Sequence, residues 1–300
     1  EFMVLANVAA AETLIAKKQP LLFRVHEEPS PEKLNALRET ALEAGFPLAK
    51  GQVLKTAHLN NLLNAAAGSE DAELINISTL RSMMQAYYGP QNFGHFGLAL
   101  RNYAHFTSPI RRYADLIVHR ALVTAHGWGK DGLKPEDIER LEETGQHISD
   151  TERRSMVAER DTTDRYLASY LSERVGDEFT GRISGVAKFG AFVKLDDSGA
   201  DGLVPIRTLG REFFHFDREA GTLMGADTGL TISIGQRVTA RLTEATPVTG
   251  GVALELLSID GEKMPQGGSR SPAGRAPRRK AAKGKRKTDK IKRKVSRKRS

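Results

Sequence analysis

Apolar positions recur at helical spacing through roughly the first 170 residues, then switch to alternation. Phe2 to Lys18 carries alanines and apolar residues throughout and reads as a helix. Ser30-Pro31-Glu32 has the chemistry of a helix start: a hydroxyl to accept a backbone N–H, then a proline suited to the first turn. That helix is expected to reach Ala44, with Gly45 ending it. Leu54 to Ala67 and Asp71 to Tyr87 read as two more, and Gly89-Pro90 breaks the pattern. Phe93 to Tyr103 fits strand or loop. Tyr113 to His126 is amphipathic, with Leu116, Ile117, Ala121 and Leu122 on one side. Pro135 opens a helix expected to stop near Gly145. Ser149-Asp150-Thr151-Glu152 then fits a capping box opening a long helix to about Arg174.

After Val175-Gly176 the period is two. Glu178 to Ile183, Ala191 to Leu195, Arg237 to Leu242 and Val252 to Leu257 alternate, with glycines between them. About five short strands in this span suit a small closed barrel. From Glu262 onward Gly, Ser, Pro, Ala, Lys and Arg dominate without apolar recurrence, the composition of a disordered segment. The expected class is α+β, in three parts: a mostly helical part over residues 1–172, a five-stranded OB-type barrel over 173–261, and a disordered basic tail over 262–300.

Charge divides the same way. Residues 263–300 hold 17 Lys or Arg against one acid, Asp289. With 45 basic and 37 acidic residues in the whole chain, 28 bases and 36 acids remain in the body. The body is therefore mildly acidic and the tail strongly basic, which points the tail toward phosphate backbones. There is no cysteine, which excludes disulfides and thiolate zinc sites and fits a reducing cytoplasm. No apolar run approaches the about 18 residues of a membrane-spanning helix. The start, Glu1-Phe2-Met3-Val4-Leu5, is not a secretory signal. Its first helix has nothing before it to cap it, so the chain is expected to be part of a longer one.

The densest chemistry lies in Tyr103-Ala104-His105-Phe106-Thr107-Ser108-Pro109-Ile110-Arg111-Arg112-Tyr113-Ala114-Asp115-Leu116, preceded by His95-Phe96-Gly97-Leu98-Ala99-Leu100. Thr107 and Ser108 offer a cap, Pro109 fits a first turn, and Arg111 and Arg112 put two guanidiniums at a helix start. That makes a phosphate-binding corner. The alternative is that the arginines pair with a buried acid such as Asp115. Asp115 and His119 share a helix face, but two ligands make a poor metal site; orienting the arginines suits them better. His95 and His105, each alone among apolar residues, read as satisfied core histidines.

This string resembles the signature of the ribonuclease II/ribonuclease R family, within its catalytic RNB domain. Phe2 to Asn7, Leu22 to His26 and Ala158-Glu159-Arg160-Asp161 agree with it. The resemblance implies processive 3′→5′ hydrolysis of RNA to nucleoside 5′-monophosphates, using Mg2+ held by aspartates. It places those aspartates upstream of the helix that opens this chain, so no metal ligand is assigned here. Glu70-Asp71 reads as a helix start and Asp196-Asp197 as a turn. Arg111 corresponds to an arginine at the phosphate near the scissile bond. Glu159 corresponds to a position near the RNA path that influences activity; its plain alternative is an ion pair with Arg160 or Arg165.

In the barrel, Gly181 to Gly185, Phe189 to Val193 and Asp201 to Ile206 resemble the RNA-binding OB-fold repeat of the largest small-subunit ribosomal protein. That resemblance implies base stacking on Phe189 and Phe192, and phosphate contacts from Lys188 and Arg182. Pro205 stands where such repeats often have histidine. The partners expected are single-stranded RNA 3′ ends and structured RNA, and a ribosome or RNA helicase, with no membrane. The competing reading is an RNA-binding module without hydrolysis.

Overall fold

The computed structural model describes residues 1–49, 55–69, 71–210, 212–217 and 221–264. The expected basic tail beyond Met264, Leu54 at the third helix and Glu70 lie outside them.

The helical part has two cores. In the first, α1 (Phe2–Ala16) presents Ala10, Ala11 and Leu14 to α5 (Tyr113–His126), which answers with Ile117, Val118 and Ala121. Leu116 faces solvent on α5 and Val118 takes the inward place, a one-step shift from the face expected. In the second, α2 (Pro31–Glu43), α3 (Thr56–Ala66) and α4 (Ala72–Ser82) close on Leu37, Leu59, Leu62 and Ile75. The Ser30 hydroxyl does cap α2, accepting from Lys33 N at 3.4 Å.

Two helix ends differ from the sequence pattern, for one reason. Strand β1 (Phe23–Val25) finds its partner in β2 (Tyr87–Gly89), so α4 stops at Ser82 rather than reaching Tyr87. Helix α7 then runs unbroken from Leu141 to Ser172, after the short α6 (Pro135–Glu139). Gly145 does not end a helix. A Cβ there would meet Tyr88 O at 2.7 Å, so glycine is what lets β2 lie against α7. Ser149 is not a cap either. Its hydroxyl donates to Gly145 O (2.7 Å) and accepts from Tyr88 N (2.9 Å), giving β2 a bond it lacks on that side.

The C-terminal half of α7 buries Ala168 and Leu171 in the barrel core. The barrel strands are β3 (Glu178–Ala187), β4 (Gly190–Leu195), β5 (Asp201–Pro205), β9 (Arg237–Thr246) and β10 (Gly251–Ile259). Their order is β10-β5-β4-β3-β9, and pairing of β10 with β9 closes the ring. Alternation fills it with Phe179, Ile183, Val193, Val204, Val238, Leu242 and Leu254. The glycine-punctuated stretch between β5 and β9 is not loop alone. It forms a second sheet, β6 (Phe214–Asp217), β7 (Thr222–Gly225) and β8 (Thr231–Ile232), which adds Phe214, Leu223 and Ile232 to the same core. The tail boundary also moves: Glu262–Lys263, assigned to the disordered tail, pairs as β11 with β10.

Candidate nucleic-acid interface

The turn before α5 is held from three sides. Asn7, buried on α1, accepts from Phe106 N (2.9 Å) and Thr107 N (3.2 Å) and donates to Tyr103 OH (3.1 Å). His119 Nε2 bonds Phe106 O at 2.9 Å, its ring stacked on Phe106. Asp115, with its side chain wholly buried, accepts from Ser108 N (2.7 Å) and from Arg112 Nε and Nη2 (2.8 Å each). The expected cap is thus reversed. Thr107 and Ser108 do not cap α5; a carboxylate inside α5 takes the turn's N–H instead.

The two arginines divide. Arg112 is tied to Asp115, the fate the plainer alternative assigned to both. Arg111 is exposed, and among the described residues its side chain has no hydrogen bond or ion pair. Beside it Ile110 is 98% exposed. A fixed turn therefore presents one free guanidinium. Asn7 is the residue that sequence reasoning missed; an amide inside the apolar run Val4 to Ala11 was its only signal.

Two histidines stand edge to face with the Tyr103 ring. His105 bonds Tyr88 OH through Nδ1 at 2.9 Å, and His95 Nδ1 accepts from Leu98 N at 3.2 Å. Burial, with Arg112 next in weight, pulls His105 down to about 4. Burial and then His26 do the same for His95. Burial pushes Tyr88 up to about 12. Both imidazoles are neutral near pH 7, and both are half-buried rather than in the core, His95 lining an open cleft beside His26. Asp115 and His119 are committed to Arg112 and Phe106 O, so they do not fit a metal site. Among the described residues no three His, Asp or Glu gather to hold one. Glu159 lies on the stretch of α7 from Arg153 to Thr163, where every residue is exposed. It pairs with neither Arg160 nor Arg165; Arg160 reaches Asp161 at 3.7 Å.

On the barrel, Ala187 pairs with Gly190, so Lys188 and Phe189 form the two-residue tip of the β3–β4 hairpin. Gly190 has φ 153°, and Val204 O leaves no room for a Cβ. Phe189 is 52% exposed and Phe192 is half-buried. Their rings stand edge to face at 5.9 Å and 88°, so they offer two separate stacking planes rather than one platform. Arg182 donates to Gly235 O at 3.1 Å and lies away from the tip. The structure thus brings Phe189 and Phe192 together at the hairpin, and places Phe192 and Arg182 on the lining of one cleft.

Residues 1–126 match the RNB domain family, and residues 172–257 match the S1 RNA binding domain family. The ribonuclease R of Escherichia coli K12 is 39% identical over 292 residues, covering 95% of this chain and 35% of that protein. The chain belongs to the ribonuclease R family. It spans about a third of the length of the curated relatives it matches. Mycoplasma genitalium RNase R in complex with ribose methylated single-stranded RNA superimposes with a TM-score of 0.79 at 33% identity, over 85% of this chain and 40% of that one. The same protein in complex with double-stranded RNA gives 0.67 at 29%, with the same coverage. Ribonuclease R therefore supplies the frame for both lobes: an RNB portion, then an S1 barrel.

Proposed function

We propose that the intact protein is a cytoplasmic 3′→5′ exoribonuclease that processively hydrolyses RNA to nucleoside 5′-monophosphates, and that this chain is its RNA-gripping C-terminal portion. The observation that carries the reading is the free Arg111 on its braced turn, in a chain that also bears an aromatic-tipped S1 barrel. Arg111 clamps a phosphate near the scissile bond and offsets charge that grows there. Arg112 positions Arg111 through Asp115. Glu159 borders the RNA path on the bare stretch of α7. Phe189 and Phe192 stack bases, with Lys188 and Arg182 toward the backbone. The Mg2+ that the family implies finds no carboxylate set among the described residues, which favours a second reading for the isolated chain: binding without hydrolysis. The basic tail adds sequence-blind affinity and is the segment for a ribosome or helicase partner.

The test compares this chain with a gene product extended to the relatives' full length, each given Mg2+ and a 3′-labelled single strand. The extended protein should release labelled 5′-monophosphate and the 300-residue chain none. Release by the short chain, or none by the extended one, contradicts the proposal.

A further inference from the structure

An open cleft of about 1000 Å3 lies on the helical lobe, between the chain just after β1, the start of α3 and the segment from Asn92 to Asn102. Its frame is fixed by hydrogen bonds. His26 N donates to Gly94 O (3.1 Å), and His26 O accepts from Phe96 N (2.8 Å). The His26 ring accepts from Gly97 N at Nδ1 (2.8 Å), which puts its proton on Nε2, bonded to Met84 O (2.8 Å). Thr56 Oγ1 donates to Phe96 O at 2.7 Å and ties α3 to the same segment. Ala99 is held at φ 55°, a costly conformation for a residue with a Cβ, and the surrounding bonds maintain it.

The side chains that line this rigid frame are unspent. Phe93 is 60% exposed and has no aromatic neighbour among the described residues. Arg101 and Lys55 are exposed, and neither has an ion pair among the described residues. Asn102 Oδ1 accepts from Asn92 Nδ2 at 2.8 Å, so the Asn102 amide nitrogen is left to donate elsewhere. His95 Nδ1 accepts from Leu98 N, so the proton of its ring sits on Nε2, which makes no hydrogen bond among the described residues. Glu28 is the one acid among the lining residues, exposed and without an ion pair. Each group has a natural acceptor or donor in one kind of ligand. Arginine and lysine take phosphate. An exposed ring takes a base whatever its identity. A lone carboxylate accepts from a ribose hydroxyl, as acids do in dinucleotide sites. A bare oxyanion has no use for the ring, and Glu28 would repel it.

We infer that this cleft binds a single ribonucleoside monophosphate. The base stacks on Phe93, and the phosphate lies toward Arg101 and Lys55. Glu28 takes the ribose hydroxyls, while His95 and Asn102 donate to the remaining acceptors. One ring and two cations suit one nucleotide rather than a strand. None of the lining residues belongs to the turn that carries Arg111, and none to the barrel, so the cleft is a separate site. The choice of a monophosphate rests on the hydrolytic reading above, whose product is of that class. The volume lies at the top of the roughly 300–1,000 Å3 range of built ligand sites.

The test is equilibrium dialysis of the full chain against labelled adenosine 5′-monophosphate, with adenosine, inorganic phosphate and the 2′-deoxy monophosphate as competitors. The monophosphate should bind saturably. Each competitor lacks one or more of the three recognised groups and should bind at least about tenfold more weakly. Phe93→Ala and Arg101→Gln should each weaken the monophosphate about tenfold. Glu28→Gln should abolish the preference over the 2′-deoxy form. All three side chains are exposed, so the melting curves should match the parent's. Single-stranded RNA should bind these variants as it binds the parent. No saturable binding, variants that bind like the parent, or phosphate competing as well as the whole nucleotide overturns the site. Loss of RNA affinity in step with the nucleotide also overturns it, because the cleft is then a stretch of the RNA path. A parent chain that binds RNA but no nucleotide sinks the cleft and leaves the RNA-gripping reading standing; one that binds nucleotide but no RNA does the reverse.

Discussion

Asp115→Asn is the sharpest perturbation of the braced turn. The carboxylate has no solvent exposure and takes three hydrogen bonds, two from Arg112, whose side chain is 20% exposed. Removing one partner of a buried ion pair costs about 3–5 kcal/mol, because the other charge is left uncompensated. Residual exposure of Arg112 argues for the low end, and the asparagine oxygen keeps one acceptor. A loss of about 2–3 kcal/mol follows for Asn, and about 3–4 kcal/mol for Ala, which also orphans Ser108 N. Urea unfolding of the parent, Asp115→Asn, Arg112→Gln and the double variant gives a cycle that isolates the pair. Its coupling should be about 2 kcal/mol. The exposed pair Arg140–Glu143, of similar sequence spacing, should show no measurable change on removal. A loss below about 1 kcal/mol for Asp115→Asn, or a coupling near zero, would refute the claim that this carboxylate holds the turn.

Gly145→Ala should destabilise although alanine favours helices by about 1 kcal/mol. The added Cβ would sit 2.7 Å from a backbone oxygen that cannot swing away, and overpacking of that kind costs about 1–3 kcal/mol; a raised melting temperature would sink the close-approach argument. Deleting residues 263–300 removes 17 cations and one acid from an acidic body. If four or five of those cations meet phosphates, the salt slope of single-strand binding should fall by about 3, with base preference unchanged. An unchanged slope would assign the tail to a protein partner.

Much of this architecture was legible in the residues. The Ser30-Pro31 start and the switch of period near Gly176 are local signals, and local chemistry decides them. What escaped was decided at a distance. Gly145 and Ser149 looked like helix ends because their partner, Tyr88, is some 60 residues away. The sheet of β6, β7 and β8 has strands of four residues or fewer, too short for alternation to show. Arg111 and Arg112 are equivalent in sequence, and only the reach of Asp115 separates them. Asn7 acts through residues about a hundred positions on.

The central claim is that this chain grips single-stranded RNA through the exposed hairpin tip of its S1 barrel. The most direct measurement is the affinity of the parent chain and of Phe189→Ala for one short single strand at fixed salt. Loss of one stacked base should weaken binding by roughly 1–3 kcal/mol, with the melting curve unchanged because the ring is half in solvent. Equal affinities, or a variant that unfolds, would contradict the account.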